Sequence, residues 1–353
     1  MKSHRIAVIS GDGVGPEIIA ETKRVLEKLQ SRHGFRLDYT DYDWGADYYF
    51  RHGRMSPEIF LDQLRRSEAI LLGTLGHPKL PGNVPLTSLI LPIRRAFDQY
   101  ANVRPARLYP SIASPLVLSG GEQIDIVVVR ENTEGEYAPV GGFVHQGHPE
   151  EAAVQSAVFT RTGVERVSRC ALEIARKRGR QRRVTSITRS NVQGYGPALW
   201  DRTFTAIAEE YPDVRSELMQ ADTAARNLIR CPQTFDVIVG SNLFGDILSD
   251  IAVTITGSLG ITPCANLDPS KRYPSMFQPM HGPRSELAGN GLANPIAAFR
   301  AGGAMLEHLG YGPACHDIER AVSSVLSSGH ARTPDIGGQS TTRDVTSAVI
   351  SEI

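Results

Sequence analysis

Short apolar runs alternate with amphipathic ones from the start of the chain. Residues 5–10 (RIAVIS) and 69–76 (AILLGTLG) are nearly unbroken apolar runs, the pattern of strands buried on both faces. Between them, 18–30 carries apolar residues at helical spacing and 37–44 alternates as a half-buried strand does. Residues 56–67 predict a helix, with Ser56 as N-cap and Pro57 at the first helical position. The three prolines of 77–89 predict a loop. Further along, 124–137 reads as a strand running into a polar turn. Then come a helix (161–178), a strand (182–188), a helix (196–211), a strand (235–242) and helices at 243–257 and 294–310. Strand, helix, strand at this spacing predicts a parallel α/β fold. No internal repeat or low-complexity tract interrupts it.

Composition narrows the function classes. The chain has 353 residues, room for one large domain or two modest ones, and is 41% hydrophobic and 22% charged. Its 38 basic and 38 acidic side chains cancel, which argues against a nucleic-acid partner. The densest basic run, 176–183 (RKRGRQRR), is expected to be a solvated helix end and loop. No apolar run approaches the ~20 residues that span a bilayer. With a strand pattern starting almost at once, no signal peptide is expected. Four scattered cysteines suit free thiols in the cytoplasm. Arginine outnumbers lysine 32 to 6, so an arginine in place of a lysine can reflect that bias alone.

Several residues could carry chemistry. The turn at 11–15 is GxGxG, not the dinucleotide fingerprint GxGxxG, and its backbone N–H groups could serve an anion. Asp246 and Asp250 stand four apart in a predicted helix after a buried strand, where α/β sheets place ligands. Taken alone, such a pair is usually a solvated face. In that position, hard carboxylate oxygens also suit Mg²⁺ or Mn²⁺. Arg94, Arg104 and Arg130 lie near strand ends or turns, and guanidinium forks hold carboxylates. Tyr137 and His281 are ambiguous by themselves.

Taken together, the segments GDGVGPE (11–17), FDQYANVRP (97–105), VVRENTEGEY (128–137), SNLFGDILSD (241–250), HG…AG…LANP (281–295) and TPDIGG (333–338) resemble the metal-dependent β-decarboxylating dehydrogenases over nearly the whole chain. That family includes isopropylmalate, isocitrate, tartrate and D-malate dehydrogenases, and the tartrate/D-malate branch is the most similar. The resemblance implies a two-domain, isopropylmalate dehydrogenase-like α/β fold rather than a Rossmann fold, with the active site in an interdomain cleft. One domain would combine 1–100 with 255–353 and bind the cofactor. The other, 101–254, would carry the contact of a homodimer whose subunits share active sites.

The resemblance also implies roles. Arg94, Arg104 and Arg130 would hold the carboxylates of a malate-type 2-hydroxy diacid. Asp246 and Asp250, with Asp222 contributed across the dimer, would bind Mg²⁺ or Mn²⁺. Tyr137 would protonate the enolate left by decarboxylation. NAD would lie along Val14, Gly73, Thr74 and Leu75, along His281, Gly282, Arg284, Glu286, Leu287 and Asn294, and at Asp335. Glu286 matches an aspartate that takes the adenosine ribose in NAD enzymes, and a carboxylate there repels a 2′-phosphate. Ser88 and Ile90 fall in the segment that reads the substrate's C3 substituent, with conflicting cues: Ile90 and Leu91 suggest an apolar wall, Ser88 an extra carboxylate.

Two departures stand out. The cofactor loop, 281–286, reads HGPRSE: Pro283 removes a backbone N–H, so the cofactor would sit differently or bind more weakly, and Arg284 leaves NADP open as an alternative. Arg189, in TSITRSNVQG (185–194), replaces the family's proton-relaying lysine with a side chain that stays protonated. Three functions are therefore open: an ordinary dehydrogenase of this branch, one with an altered substrate and proton path, or a non-catalytic paralogue.

Overall fold

The computed structural model describes residues 2–118 and 123–353. Its strands are β1 (Lys2–Gly11), β2 (Phe35–Tyr42), β3 (Ala69–Thr74), β4 (Ala101–Arg107), β5 (Asp125–Glu131), β6 (Gly141–Val144), β7 (Ala152–Gln155), β8 (Arg183–Thr188), β9 (Arg215–Gln220), β10 (Val237–Gly240), β11 (Pro263–Leu267) and β12 (Ser275–Pro279). The chain divides into two compact units. One is Met1–Gln99 with Arg107–Val117 and Val253–Ile353, and the other is Tyr100–Ala106 with Leu118–Ala252. Residues 107–117 therefore leave the expected middle domain. Tyr109 is buried in the first unit, Ser111 Oγ donates to the Leu326 carbonyl, and Ser114 Oγ donates to the Ile255 carbonyl at 2.7 Å.

In the first unit the strand order is β2-β1-β3-β12-β11. The first four strands are parallel neighbours, and β11 runs antiparallel to β12. Every residue of β3 is buried, as an unbroken apolar strand in a parallel sheet requires. The second unit orders its strands β4-β5-β10-β8-β9, with β5, β10, β8 and β9 all parallel. Its core joins Val127 and Val129 of β5 to Val164 and Val167 of the helix Arg161–Arg178 and to Trp200 and Phe204 of the helix Gly196–Ala208. Trp200 is satisfied there, since its Nε1 donates to Ser186 Oγ at 2.9 Å. The hairpin β6–β7 forms its own two-stranded sheet.

Local chemistry explains the long helices. Thr160 caps Arg161–Arg178 by accepting the Gly163 amide at 2.9 Å, Gly179 ends it in the left-handed region, and three basic residues occupy its last turn. The basic run that follows is largely ion-paired: Arg176 with Asp213, Arg178 with Asp125 and Asp236, and Arg183 with Glu217.

Three local expectations fail. Only Phe60–Leu64 is helical in 56–67, and Ile59, not Ser56, sits at its N-cap. Ser56 is buried, and the Pro57 carbonyl takes the Phe60 amide in a separate turn. The loop expected to run to 89 becomes a wide helical turn at Leu86–Ile90, leading into the helix Leu91–Ala96. Finally, the turn 11–15 offers little to an anion. The Asp12 amide donates to the Thr74 carbonyl, the Val14 amide to the Pro283 carbonyl and the Gly15 amide to the Asp12 carbonyl. Asp12 also clips segments together, its carboxylate accepting the amides of Ala46 and Gly76 at 2.7 and 2.8 Å.

Gly13 is the tightest point of that turn. Its φ is +61°, and a Cβ there would lie 2.0 Å from the Pro283 carbonyl oxygen. Gly13→Ala is expected to cost about 2 kcal/mol or more, from the strained backbone and the broken Val14–Pro283 bond together. Urea unfolding measures it, and a change below about 0.5 kcal/mol would mean the turn relaxes freely.

Candidate active site

In the second unit the candidate residues Arg130, Arg189 and Asp222 lie at or just after the carboxyl ends of parallel strands, where α/β sheets place ligands. Arg130 closes the pairing of β5 with β10, opposite Gly240. The chain then enters the helix Asn242–Ile255, which carries Asp246 and Asp250. Helix and strand approach closely because Gly245 has no side chain; a Cβ there would sit 2.7 Å from Arg130 Cβ. The polar turn after β5 is built by its own acids. Glu131 accepts the amides of Thr133 and Glu134, Glu134 holds the cap residue Thr160, and Glu136 accepts Ser241 Oγ and the Leu243 amide at the helix start.

Asp246 is the centre of the cluster. It accepts Arg130 Nη1 in a very short contact, Arg104 Nη1 at 2.9 Å and the Tyr137 hydroxyl at 3.1 Å. Asp250 lies 3.8 Å from Arg104 Nη1. Burial pushes the Asp246 carboxyl up, but Arg130 and Arg104 outweigh it and hold it below the usual value. Asp250 moves the other way. Partial desolvation raises it, and the Asp246 charge adds to that over the opposing pull of Arg104. Tyr137 is raised by burial and by Asp246, so it keeps its proton throughout the neutral range.

Three members of this cluster were not singled out in the sequence. Asn242 Oδ1 accepts Arg130 Nε and Nη2 at 2.9 and 2.6 Å, Asn102 Oδ1 accepts Arg104 Nε at 2.7 Å, and Ser249 Oγ accepts Arg104 Nη1 at 2.8 Å. The one available signal was spacing, since Asn242, Asp246 and Ser249 share a helix face.

Arg189 and Asp222 meet for a topological reason. They follow the carboxyl ends of β8 and β9, which are parallel neighbours in register at Thr188 and Gln220. Arg189 Nη1 stands 3.2 Å from Asp222 Oδ2. The Thr223 amide, and then Arg189, hold the Asp222 carboxyl below its ordinary value. Asp222 does not join Asp246 and Asp250. Among the described residues, no three His, Cys, Asp or Glu side chains gather closely enough to hold a metal. The chain brings together two hard carboxylates, a donor set that fits a divalent cation once a further ligand comes from elsewhere.

The first unit holds a separate pocket of about 520 Å³, within the range of cofactor sites. Of the residues expected along NAD, Val14, His281, Gly282, Arg284, Leu287, Asn294 and Asp335 line it, joined by Ser258, Leu259, Gly260, Leu292, Ala293 and Pro334. His281 Nε2 is buried there without a hydrogen-bond partner among the described residues, and burial lowers the ring's proton affinity. Asp335 is held by Asn294 Nδ2 at 3.0 Å and Thr333 Oγ1 at 2.5 Å. An orphaned ring nitrogen beside leucine walls fits an aromatic, polar cofactor.

Gly73, Thr74 and Leu75 do not line this pocket. Gly73 lies against the Ser10 carbonyl, Thr74 is buried with its hydroxyl on the Asp12 carbonyl, and Leu75 packs against the apolar core. Nor does Glu286 face the pocket; it is exposed and accepts Arg284 Nε at 2.7 Å. Arg284 itself has a left-handed backbone, φ 43°. Among the expected substrate contacts in this unit, Arg94 is buried, Ser88 is exposed and Ile90 packs against the apolar core.

Buried guanidiniums balanced by carboxylates, on a parallel α/β framework, make a site suited to an acidic small molecule. Comparison with known proteins makes this specific: the model for isocitrate/isopropylmalate dehydrogenase matches residues 5–351, and the chain belongs to that family. It is 46% identical to a "probable tartrate dehydrogenase/decarboxylase" of Agrobacterium vitis, covering 100% of this chain and 97% of that one. It is 43% identical to the decarboxylating D-malate dehydrogenase of Escherichia coli (strain K12), covering 99% and 98%. Its fold matches the crystal structure of isocitrate dehydrogenase from Methylococcus capsulatus, with a TM-score of 0.88 at 34% identity over 99% of each chain. Family membership implies a nicotinamide cofactor and a divalent metal.

Proposed function

We propose that the protein oxidises a malate-type 2-hydroxy diacid, such as D-malate or tartrate, with NAD and Mg²⁺ or Mn²⁺, and with loss of CO₂. The observation that carries this reading is the cluster of Arg104, Arg130, Tyr137, Asp246 and Asp250. It offers fixed guanidiniums for substrate carboxylates, carboxylates for a cation and a phenol that stays protonated. When bound, NAD supplies the hydride acceptor, and the divalent ion supplies Lewis acidity at the substrate oxygens.

The chain's own residues bind, orient and reprotonate the substrate, while the hydroxyl proton lost with the hydride passes to water, since Arg189 stays protonated. Arg104 and Arg130, braced by Asn102, Ser249 and Asn242, orient the diacid without needing to reorganise. Tyr137 returns a proton to the substrate carbon after CO₂ leaves. The resemblance adds Arg94, Ser88 and Ile90 as substrate contacts. Asp246 and Asp250 would hold the ion, with Asp222 of a second copy. The hairpin β6–β7 supports such a dimer. Phe143, Val144 and Val154 are each more than half exposed, and a lone two-stranded hairpin needs packing to be stable. The free cysteines suit the cytosol.

The test is nicotinamide reduction with Mn²⁺ across D-malate, both tartrates, isopropylmalate and isocitrate, with mass determination in solution alongside. Turnover of a malate or tartrate by a dimer supports the reading. Silence with every diacid would favour the non-catalytic alternative, for which the Arg189–Asp222 pair is the motivating contact.

Cofactor choice has its own expected result. Arg284 occupies the Glu286 carboxylate that would take the adenosine ribose. Arg284→Ala is expected to free Glu286 and shift the preference for NAD over NADP about tenfold further towards NAD, the worth of one charge-assisted hydrogen bond. Equal kcat/KM ratios for the two cofactors before and after the change would remove Arg284 from cofactor selection.

A further inference from the structure

A second polar cavity lies in the first unit, away from every residue given a role above. It has a volume of about 260 Å³, opens to solvent, and is formed where the amino ends of β1, β3 and β12 converge with the end of the helix Ile296–His308. The glycine turns sit at the opposite ends of β1 and β3. The six residues of β3 alone separate the two by about 20 Å at ~3.3 Å per residue.

Its charges are unbalanced. Lys2, Arg65, Lys271 and Arg272 line it, against a single carboxylate, Glu68. Glu68 is already engaged by His4 Nδ1 at 2.9 Å and the Arg5 amide at 3.3 Å. Arg272 is paired with Asp98 at 2.6 Å and Asp268 at 3.6 Å. Around Lys2, Arg65 and Lys271 the lining offers no carboxylate but the engaged Glu68. Arg65 is held by ring faces instead, 5.2 Å from the Tyr273 centroid and 5.7 Å from that of Phe97. Lys2, Arg65 and Lys271 are exposed, so water screens their mutual repulsion, and a bound oxyanion would offset it further. The carbonyl end of the helix Ile296–His308 is one acceptor, but a helix end carries only about half a charge.

The loop that presents Lys271 and Arg272 is built, not slack. Asp268 is fully buried, and its carboxylate accepts the amides of Ser270, Arg272 and Tyr273 at 3.1, 2.9 and 3.2 Å. That wrapping holds Lys271 in the left-handed region, φ 55°, a conformation a lysine rarely adopts. Strained residues of this kind persist where the surroundings over-determine them, often at ligand sites. The chain also has only 6 lysines, and two of them are here, where a compact ammonium suits an oxyanion.

We infer that this cavity binds a small oxyanion carrying two or more negative charges, a phosphate ester or a polycarboxylate, through Lys2, Arg65 and Lys271. The volume lies just below the range for drug-sized ligands, so a metabolite fits and a dinucleotide does not. The inference is independent of the dehydrogenase reading.

The experiment is titration calorimetry of the full chain with pyrophosphate and, separately, citrate in metal-free buffer, with hydrogen exchange read on peptides covering 64–70 and 268–275. The variants are Arg65→Ala and Lys271→Gly. Glycine relieves the left-handed backbone, so that variant removes the charge without endangering the fold. The expected result is binding with slowed exchange in both peptides, weakened about tenfold by each variant. Pyrophosphate alone binding would identify a phosphate ester, and citrate alone a polycarboxylate. Binding of neither would overturn the inference, as would affinity unchanged in the double variant with protection confined to other peptides.

Discussion

Arg189→Lys is expected to raise kcat on the 2-hydroxy diacid by about 10²-fold, with KM nearly unchanged. A positioned general base contributes on the order of 10²–10⁴ to a rate, and arginine, with a pKa above about 12, cannot serve as one. The neighbouring carboxylate does not compensate. Asp222 is held below its ordinary pKa by the Thr223 amide and by Arg189 itself, so it is a weak proton acceptor. Lysine in the same place could lose its proton, and its rate should climb with pH while the wild-type rate stays flatter. The fold should barely notice. The Arg189–Asp222 pair is 30% and 63% exposed, and such pairs are worth about 0–1 kcal/mol. The measurement is kcat against pH for both proteins. If the wild type matches the lysine variant in rate and profile, the arginine is an adequate substitute and merely follows the chain's preference for arginine.

Asp246→Ala should have the largest effect on stability, about 3–5 kcal/mol, because it leaves two buried guanidiniums without their shared counter-charge. Asp250→Ala is the contrast, expected to lie within about 0.5 kcal/mol of wild type. Its side chain is 66% exposed, and removing it relieves repulsion with Asp246. Both should abolish metal-dependent turnover. A plain dicarboxylate such as succinate should partly restore the stability of Asp246→Ala, since it brings a negative charge back to Arg104 and Arg130. Urea unfolding with and without succinate separates the two carboxylates. Equal losses in both variants would show that Asp246 is not the structural counter-ion.

The contrast between these two aspartates was not visible in the chain itself. Their spacing placed them on one helix face, and so predicted a shared site. It could not show that Asp246 turns towards Arg104 and Arg130 while Asp250 points largely to solvent. Asn102, Asn242 and Ser249 were equally silent, because a bracing residue has no chemistry of its own to announce it. The glycine turn misled in the other direction. Its sequence advertises free amides, and the fold spends them on Thr74 and Pro283, the latter from a segment far along the chain.

What the sequence determined by itself was the local and the periodic. The apolar runs at 5–10 and 69–76 became β1 and β3, the strands expected within 124–137, 182–188 and 235–242 became β5, β8 and β10, and the helix expected at 161–178 formed there, because burial pattern acts within a few residues. Residue identity also sufficed for family membership and for the arginine at 189. The tertiary structure alone decided which charges meet. The Arg189–Asp222 contact exists because β8 and β9 lie side by side, and the cation-lined cavity because Lys2, Arg65 and Lys271 arrive from three distant segments at the amino ends of three strands. Coulomb interactions depend on distance in space, and only the folded chain sets that distance.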